Sequence, residues 1–81
     1  MTESGVVTEA VAGEVVLTVN GDVRRVPTGW TLATLLASLN LDPRTVVIER
    51  NRTILRDRSS FDSLELARDD EIEIVHFVGG G

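Results

Sequence analysis

Cysteine and lysine are both absent from this 81-residue chain, and each absence removes a class of chemistry. Without a thiol the chain can form no disulfide, no zinc–thiolate site and no cysteine nucleophile. All eight basic residues are arginine, so no side chain can form a Schiff base or receive an isopeptide bond. Any reaction that needs a side-chain thiol or a side-chain amine must therefore draw that group from a partner.

Catalytic groupings are also scarce. His76 is the single histidine, which leaves few members for a nucleophile–base pair, and no glycine-rich phosphate loop followed by lysine is present. The run Asp69-Asp70-Glu71-Glu73 lacks the glycine and the spacing of a calcium loop, and we expect it to be a solvated turn and strand edge. These gaps predict a protein that is not an enzyme and that binds no metal and no cofactor of its own.

Long apolar runs are missing as well. No stretch approaches the roughly 20 residues that span a membrane. The acidic start at 1–4 has no basic region followed by an apolar one, as a signal peptide would. The net charge of −5 argues against nucleic acids, whose binding proteins show a basic face, and against anionic membranes. We therefore expect a cytoplasmic protein with no nucleic-acid or membrane partner.

What is present is a pattern of short strands. Apolar and polar residues alternate over 15–19, and Asn20-Gly21 then gives a hairpin signal, because both positions of a type I′ turn need positive φ. The return strand at 22–26 ends at Pro27, which cannot donate to a sheet ladder. Further elements are expected as strands at 46–48, 53–55 and 71–78, a turn at Asn51-Arg52 and a single 3₁₀ turn within 59–66.

One helix is marked between these strands. Thr31 is a good N-cap, because its hydroxyl can accept a hydrogen bond from a backbone N–H of the first turn. Trp30 and Leu35 have the spacing of a hydrophobic staple. The helix is expected to end at Leu41-Asp42-Pro43, because the residue before a proline avoids the α region. One face is lined by leucines at helical spacing, namely Leu32, Leu35, Leu36 and Leu39.

The element order β-β-α-β-β-β predicts an α+β fold in which a mixed sheet of four to five strands packs on one helix. A single helix covers only one face of such a sheet, so the other face meets solvent or a partner. We divide the chain into an extension at 1–14, expected to be disordered, a domain at 15–78 and a flexible functional tail at 79–81.

Three glycines follow the last predicted strand, and they are the strongest candidate for function. Glycine has no Cβ, so a glycine backbone can thread a narrow channel and deliver the terminal carboxylate of Gly81 into another protein's active site. A carboxylate is ionised at neutral pH, with an α-carboxyl pKa of about 3.5, and is a poor electrophile until it is activated, most simply as an acyl-adenylate. A sulfur nucleophile can then displace AMP and leave a thiocarboxylate.

The strand before the glycines places residues alternately on its two faces. Ile72, Ile74 and Val78 are expected to point to the helix, whereas Val75 and Phe77 point to the uncovered face. Such an apolar pair either docks a partner or is covered by the N-terminal extension or a loop. We therefore expect Gly81 to be the reacting residue, with Gly80 beside it. The expected partner contacts are Val75, Phe77, Val78 and Gly79.

Several stretches of the chain together resemble a known family. They are VNGD at 19–22, VP at 26–27, TL and LL within 31–36, LDPR at 41–44 and DEIEIV at 70–75, followed by GGG at the end. From about Val15 onward the sequence resembles the bacterial sulfur carrier proteins of thiamine biosynthesis, which have the ubiquitin-like β-grasp fold. Residues 1–14 exceed the usual family start, and 54–58 matches the family pattern only loosely.

The resemblance implies a set of partners. An E1-like adenylyltransferase would use ATP to adenylate Gly81, and a cysteine desulfurase or another sulfur donor would convert the adenylate to a thiocarboxylate. Thiazole synthase would then take the sulfur into the thiazole ring of thiamine. The chain would be a protein co-substrate, which agrees with its lack of catalytic groupings.

Alternatives remain open at this point. The small subunit of molybdopterin synthase is also a β-grasp sulfur carrier that ends in Gly-Gly, although the Asn-Gly hairpin favours the thiamine branch. A ubiquitin-like modifier joined to target lysines through Gly81 would use the same adenylate. A plain interaction module is a third alternative, in which removal of Gly80 and Gly81 would leave function intact.

Overall fold

The computed structural model describes residues 13–77, which fold as one mixed sheet packed on one helix. The elements in chain order are β1 (Glu14–Val19), β2 (Asp22–Pro27), α1 (Leu32–Ser38), a 3₁₀ turn (Pro43–Thr45), β3 (Val46–Arg50), β4 (Thr53–Leu55), a second 3₁₀ turn (Arg58–Ser60) and β5 (Glu71–His76). The sheet order is β2-β1-β5-β3-β4. β1 and β5 pair in parallel, and the other neighbours are antiparallel. The predicted α+β fold is confirmed.

The β1–β2 hairpin turns at the predicted dipeptide. Asn20 has φ 51° and Gly21 has φ 85°, so both central positions are left-handed, as a type I′ turn requires. The turn sets Val19 opposite Asp22. The Asn20 side chain also accepts a hydrogen bond of 2.7 Å from the Ile74 N–H. This bond ties the hairpin turn to β5 just beyond the last backbone pair of β1 with that strand.

Helix α1 begins as predicted and ends earlier than predicted. The Thr31 hydroxyl accepts from the Thr34 N–H at 3.2 Å, which confirms the N-cap. At the other end Asn40 adopts φ 60°, its N–H donates to the Ala37 carbonyl at 3.0 Å, and the Leu41 N–H donates to the Leu36 carbonyl at 2.9 Å. This pair of bonds is a Schellman motif. A left-handed asparagine therefore ends the helix, and the boundary expected at Leu41-Asp42-Pro43 was wrong.

The first 3₁₀ turn is not among the predicted elements, because the sequence marks Pro43 only as the end of the helix. The Asp42 carboxylate accepts from the Arg44 N–H at 2.9 Å and pairs with the Arg44 guanidinium at 2.8 Å. The hydrogen bonds from the Arg44 side chain and backbone lower the pKa of Asp42 to about 2. The turn at Asn51-Arg52 and the 3₁₀ turn in the 59–66 region occur as predicted, the latter starting at Arg58.

The core lies between α1 and the sheet. The predicted leucine face of α1 is buried at Leu32, Leu35 and Leu36, and Leu39 packs against it partly buried. The buried apolar residues from the rest of the described chain are Leu17, Val19, Val26, Val46, Ile48, Phe61, Leu66, Ile72 and Ile74. Aliphatic side chains supply nearly all of this core, as the scarcity of aromatic residues implies.

Asp70 contradicts the expectation that the acidic run 69–73 is entirely solvated. It is only 5% exposed, and its carboxylate accepts from Arg50 Nε at 3.0 Å, Asn51 Nδ2 at 3.1 Å and the Ala67 N–H at 2.8 Å. Burial by itself would raise the pKa of Asp70, but these hydrogen bonds and the Arg50 charge outweigh it and lower that pKa. The carboxylate thus joins β3, the β3–β4 turn and the segment that leads into β5.

Residues 1–12 and 78–81 lie outside the described part of the chain. Glu14 already belongs to β1, one residue before the domain start predicted at 15. The disordered extension at 1–14 and the flexible tail at 79–81 stay predictions. Among residues 13–77, no helix is both long enough and apolar enough to cross a membrane.

Candidate functional site

Strand β5 separates buried from exposed residues as its alternation predicts. Ile72 and Ile74 face the core at 1% and 8% exposure. Val75 and Phe77 lie on the other side of the sheet, where they are 61% and 52% exposed. The structure therefore brings these two predicted contact residues together at the end of β5, while Val78, Gly79, Gly80 and Gly81 lie outside the described residues.

The face of the sheet away from α1, called here the open face, collects the exposed apolar side chains. Pairing sets Val75 opposite Val47, Ile54 opposite Glu49, and Val23 opposite Thr18. The partners Val47, Glu49 and Thr18 each stand next to a buried residue of β1 or β3, so these pairs lie on the face opposite the core. The large apolar side chains that are exposed within residues 13–77 are Val23, Ile54, Val75 and Phe77. All four belong to the open face, so the domain has one apolar side that faces away from its own core.

The alternative that a loop covers Val75 and Phe77 does not hold within the described residues, since both side chains are more than half exposed there. The second alternative, cover by the N-terminal extension, concerns residues 1–12, which are outside the described part. The pair therefore stays a predicted partner contact.

Negative charge accompanies the apolar side chains on the open face. Glu49 and Glu73 are direct cross-strand partners, and Glu71 lies opposite Thr18 on the same face. Like charges directly opposite one another destabilise a strand pair. The ion pairs among residues 13–77 join Arg44 to Asp42, Arg50 to Asp70 and Arg68 to Asp69, so none of them neutralises these glutamates. A partner that supplies positive charge would relieve this repulsion.

The end of β5 is fixed by contacts that the sequence did not reveal. The Phe77 N–H donates to the Thr45 carbonyl at 3.0 Å, and the Arg58 guanidinium carbon lies 5.6 Å from the centroid of the Phe77 ring. Arg58 also donates to the carbonyls of Pro43 and Val46. No local pattern around Arg58 predicted these partners, because they lie more than ten positions away along the chain.

Nothing in the described residues offers a catalytic or metal centre. No three side chains of His, Cys, Asp or Glu among residues 13–77 come together as metal ligands would. His76, at the end of β5, is exposed and lies opposite Val46 across the strand pair. Within residues 13–77, the feature left as a candidate site is the exposed surface at the end of β5.

Comparisons with known proteins agree on one family. The model of the ThiS family matches residues 13–81. The sulfur carrier protein ThiS of Bacillus subtilis is 44% identical over 66 residues, which cover 80% of this chain and 98% of that protein. A crystal structure of the thiamine biosynthesis protein ThiS from Geobacter metallireducens superposes with a TM-score of 0.70 at 31% identity, covering 83% of this chain and 100% of that one.

Two larger proteins also match. Thiazole synthases of Magnetococcus marinus and Paramagnetospirillum magneticum are 40% and 38% identical over 62 and 65 residues. These stretches cover 76% and 80% of this chain but only 19% and 20% of the two synthases. The chain thus spans about a fifth of the length of these curated relatives.

Proposed function

The chain belongs to the ThiS family, and we propose from this that it carries sulfur for thiamine biosynthesis as a thiocarboxylate on Gly81. The observation that carries the proposal is the match over 98% of the length of a sulfur carrier protein. The chain is then a protein co-substrate and not a catalyst, in agreement with the lack of thiol, amine and paired acid–base groups in its sequence.

The proposed chemistry takes place at the carboxylate of Gly81, with Gly80 beside it. An E1-like adenylyltransferase joins this carboxylate to the α-phosphorus of ATP and releases pyrophosphate. The sulfur nucleophile then attacks the acyl carbon and AMP leaves. With hydrosulfide as the simplest nucleophile, the products are the thiocarboxylate, AMP and one proton. ATP is bound by the partner enzyme, and its use fits a cytoplasmic reaction.

Two further partners complete the proposal. A cysteine desulfurase or another donor supplies the sulfur, and thiazole synthase receives it. The pairing with thiazole synthase is supported by the two synthases that contain a stretch similar to this chain. The open face supports docking, because its exposed apolar side chains include Val75 and Phe77 directly before residues 78–81. Val78 and Gly79 would then lie in the entrance of the partner's active site.

Intact-mass spectrometry tests the proposal. The chain ending at Gly81 is incubated with its adenylyltransferase, ATP and a sulfur source. A mass increase equal to the exchange of one oxygen for sulfur is expected. An unchanged mass with active partners would reject the carrier proposal, and a mass that shows attachment to a lysine of another protein would indicate a modifier instead.

A matched control uses the terminus itself. Deletion of Gly81, or one extra residue after it, should abolish the mass increase, because the reacting carboxylate is displaced. The thermal midpoint should stay near that of the parent chain, since no core residue changes. A large fall in thermal stability on deletion would mean that the glycines serve the fold, contrary to the proposal.

A further inference from the structure

Arg58 is the one arginine of the described chain that binds both a backbone segment and an aromatic ring. Its Nε donates to the Pro43 carbonyl at 2.9 Å and its Nη2 donates to the Val46 carbonyl at 3.0 Å. Its Cζ is 5.6 Å from the centroid of the Phe77 ring, within the range of a cation–π contact. The guanidinium therefore links the segment 43–46 to the residue that follows β5.

Phe77 is tied to the same segment through its backbone. Its N–H donates to the carbonyl of Thr45, which lies between the two carbonyls that Arg58 binds. Thr45 is itself held, because its N–H and its hydroxyl both bond to the Asp42 carbonyl, at 2.9 and 2.8 Å. Segment 43–46 thus forms an ordered platform that binds the Phe77 amide directly and is linked to the Phe77 ring through Arg58.

These contacts matter because the β1 side of β5 makes fewer hydrogen bonds near Phe77 than the β3 side does. β1 pairs with β5 only through Thr18–Glu71 and Val19–Ile72, and the Asn20 side chain adds one bond to Ile74. Within residues 13–77, the hydrogen bonds made by β5 and Phe77 beyond Ile74 all go to the β3 side. The direction in which the chain leaves at Phe77 therefore depends on the platform and on Arg58.

We propose that Arg58 is a positioning residue for sulfur loading: by holding the Phe77 ring on segment 43–46 it sets the point and direction from which residues 78–81 enter the adenylyltransferase. This inference rests on the proposed function. Lysine cannot substitute, because only a planar guanidinium donates to two carbonyls at fixed angles while its face stays available to a ring. Arg58 itself contacts neither ATP nor the reacting carboxylate.

The kinetics of adenylation distinguish positioning from direct docking. Pyrophosphate exchange is measured against carrier concentration for the parent chain, Arg58→Gln, Phe77→Leu and the double variant. Loss of a positioning residue lowers the fraction of bound carrier whose residues 78–81 are placed for reaction, so kcat should fall while KM stays within about two-fold. The fall in kcat should be roughly five-fold, as expected for loss of a cation–π contact with its supporting hydrogen bonds. A rise in KM alone would mean that Arg58 contacts the partner, and would overturn the inference.

Coupling and a lysine variant sharpen the test. The double variant should lose no more kcat than Arg58→Gln alone, because both changes break the same Arg58–Phe77 contact. Arg58→Lys keeps the charge but loses the planar fork, so its kcat should fall as it does in Arg58→Gln. Arg56→Gln is the control, because it removes the same charge two positions earlier. Arg56 makes no ion pair or side-chain hydrogen bond among residues 13–77, so this variant should behave like the parent chain. Losses that add in the double variant would contradict a shared role.

A spectroscopic readout accompanies the kinetics. The amide resonance of Phe77 should shift in Arg58→Gln but not in Arg56→Gln. If Arg58→Gln fails to fold, Arg58→Lys still tests the inference, because Arg58 is exposed and lysine keeps its charge without the planar fork. A parent chain that is never adenylated would reject the proposed function together with this role. A parent chain that is adenylated no faster than Arg58→Gln would reject the role of Arg58 alone.

Discussion

Asp70→Asn should destabilise the domain far more than a surface substitution, although the side chains of aspartate and asparagine have the same shape. One carboxylate oxygen, Oδ2, accepts from Arg50 and from the Ala67 N–H, and the other accepts from Asn51 Nδ2. An amide in this place offers one acceptor and one donor group. If its oxygen takes the Oδ2 position, its nitrogen faces Asn51 Nδ2, and two donors meet.

Asn51 cannot relieve this conflict by rotating its amide. Its Oδ1 already accepts the Glu71 N–H at 2.9 Å, and a rotated amide would leave that backbone group unpaired. The substitution also removes the partner charge of Arg50, whose side chain is 23% exposed and whose Nη2 lies 2.8 Å from the carboxylate. Losing a hydrogen bond to a charged group and leaving a partly buried charge unpaired should together cost about 2–4 kcal/mol.

Urea unfolding followed through the single tryptophan measures this cost. Trp30 packs partly buried against the core, so its fluorescence reports on the domain. The free energy of unfolding should fall by about 2–4 kcal/mol and the thermal midpoint by roughly 10–25 °C. Asp69→Asn is the control, because Asp69 is exposed and its change should stay within about 0.5 kcal/mol. Equal effects of the two substitutions would refute the network argument.

The pH dependence carries the same signature. The folded-state pKa of Asp70 is lowered from the value near 3.9 of an unfolded chain. Its contribution to stability is therefore complete above about pH 4 and is lost as the pH falls through the folded-state pKa. The difference between the parent chain and Asp70→Asn should stay constant from pH 5 to 7 and shrink at lower pH. A difference that grows on acidification would contradict the assigned sign.

Three smaller tests follow from the turns and the open face. Asn20→Ala should lower the free energy of unfolding by about 1–2 kcal/mol, since it removes the acceptor for the Ile74 N–H and strains a residue at φ 51°. Asn20→Asp should lower it less in the same urea titration. Arg52→Gly should raise it by about 0.5–1 kcal/mol, because φ is 73° there; a loss would argue against the turn geometry. Val75→Glu should weaken binding to the adenylyltransferase, measured by calorimetry, with little change in the melting temperature. Val23→Glu is the control: Val23 is also exposed on the open face but lies on the edge strand β2, so binding should stay unchanged.

The features that the sequence predicted are those set by near neighbours. Asn20-Gly21 requires positive φ within the dipeptide itself, and the turn forms there. The spacing of Leu32, Leu35 and Leu36 fixes one helical face whatever packs on it, and the alternation in β5 places Val75 on the opposite side from Ile74. Each of these rules operates over a few residues, so one sequence suffices to apply them.

The features that the sequence did not predict depend on distant partners. Asp70 looked like one more turn carboxylate, and only the fold brings Arg50 and Asn51 to it. Arg58 reaches carbonyls of the 43–46 segment that carry no residue-specific signal at all. The helix end was misplaced for a related reason: proline is the more conspicuous residue, yet Asn40 adopts the left-handed conformation first and ends the helix before Pro43 is reached.

The position of β5 in the middle of the sheet has a consequence for synthesis. Among the strands of residues 13–77, β5 is made last, yet it pairs with β1, which is made first, and with β3. A nascent chain that has emerged only to residue 70 can form two hairpins at most, and it exposes the edges of β1 and β3 to other chains. Closure must then wait for contacts between the two ends of the domain, which slows folding relative to a helical protein of equal size. A chain that stops before β5 therefore lacks the strand that joins its two hairpins, and we expect it not to fold into the sheet.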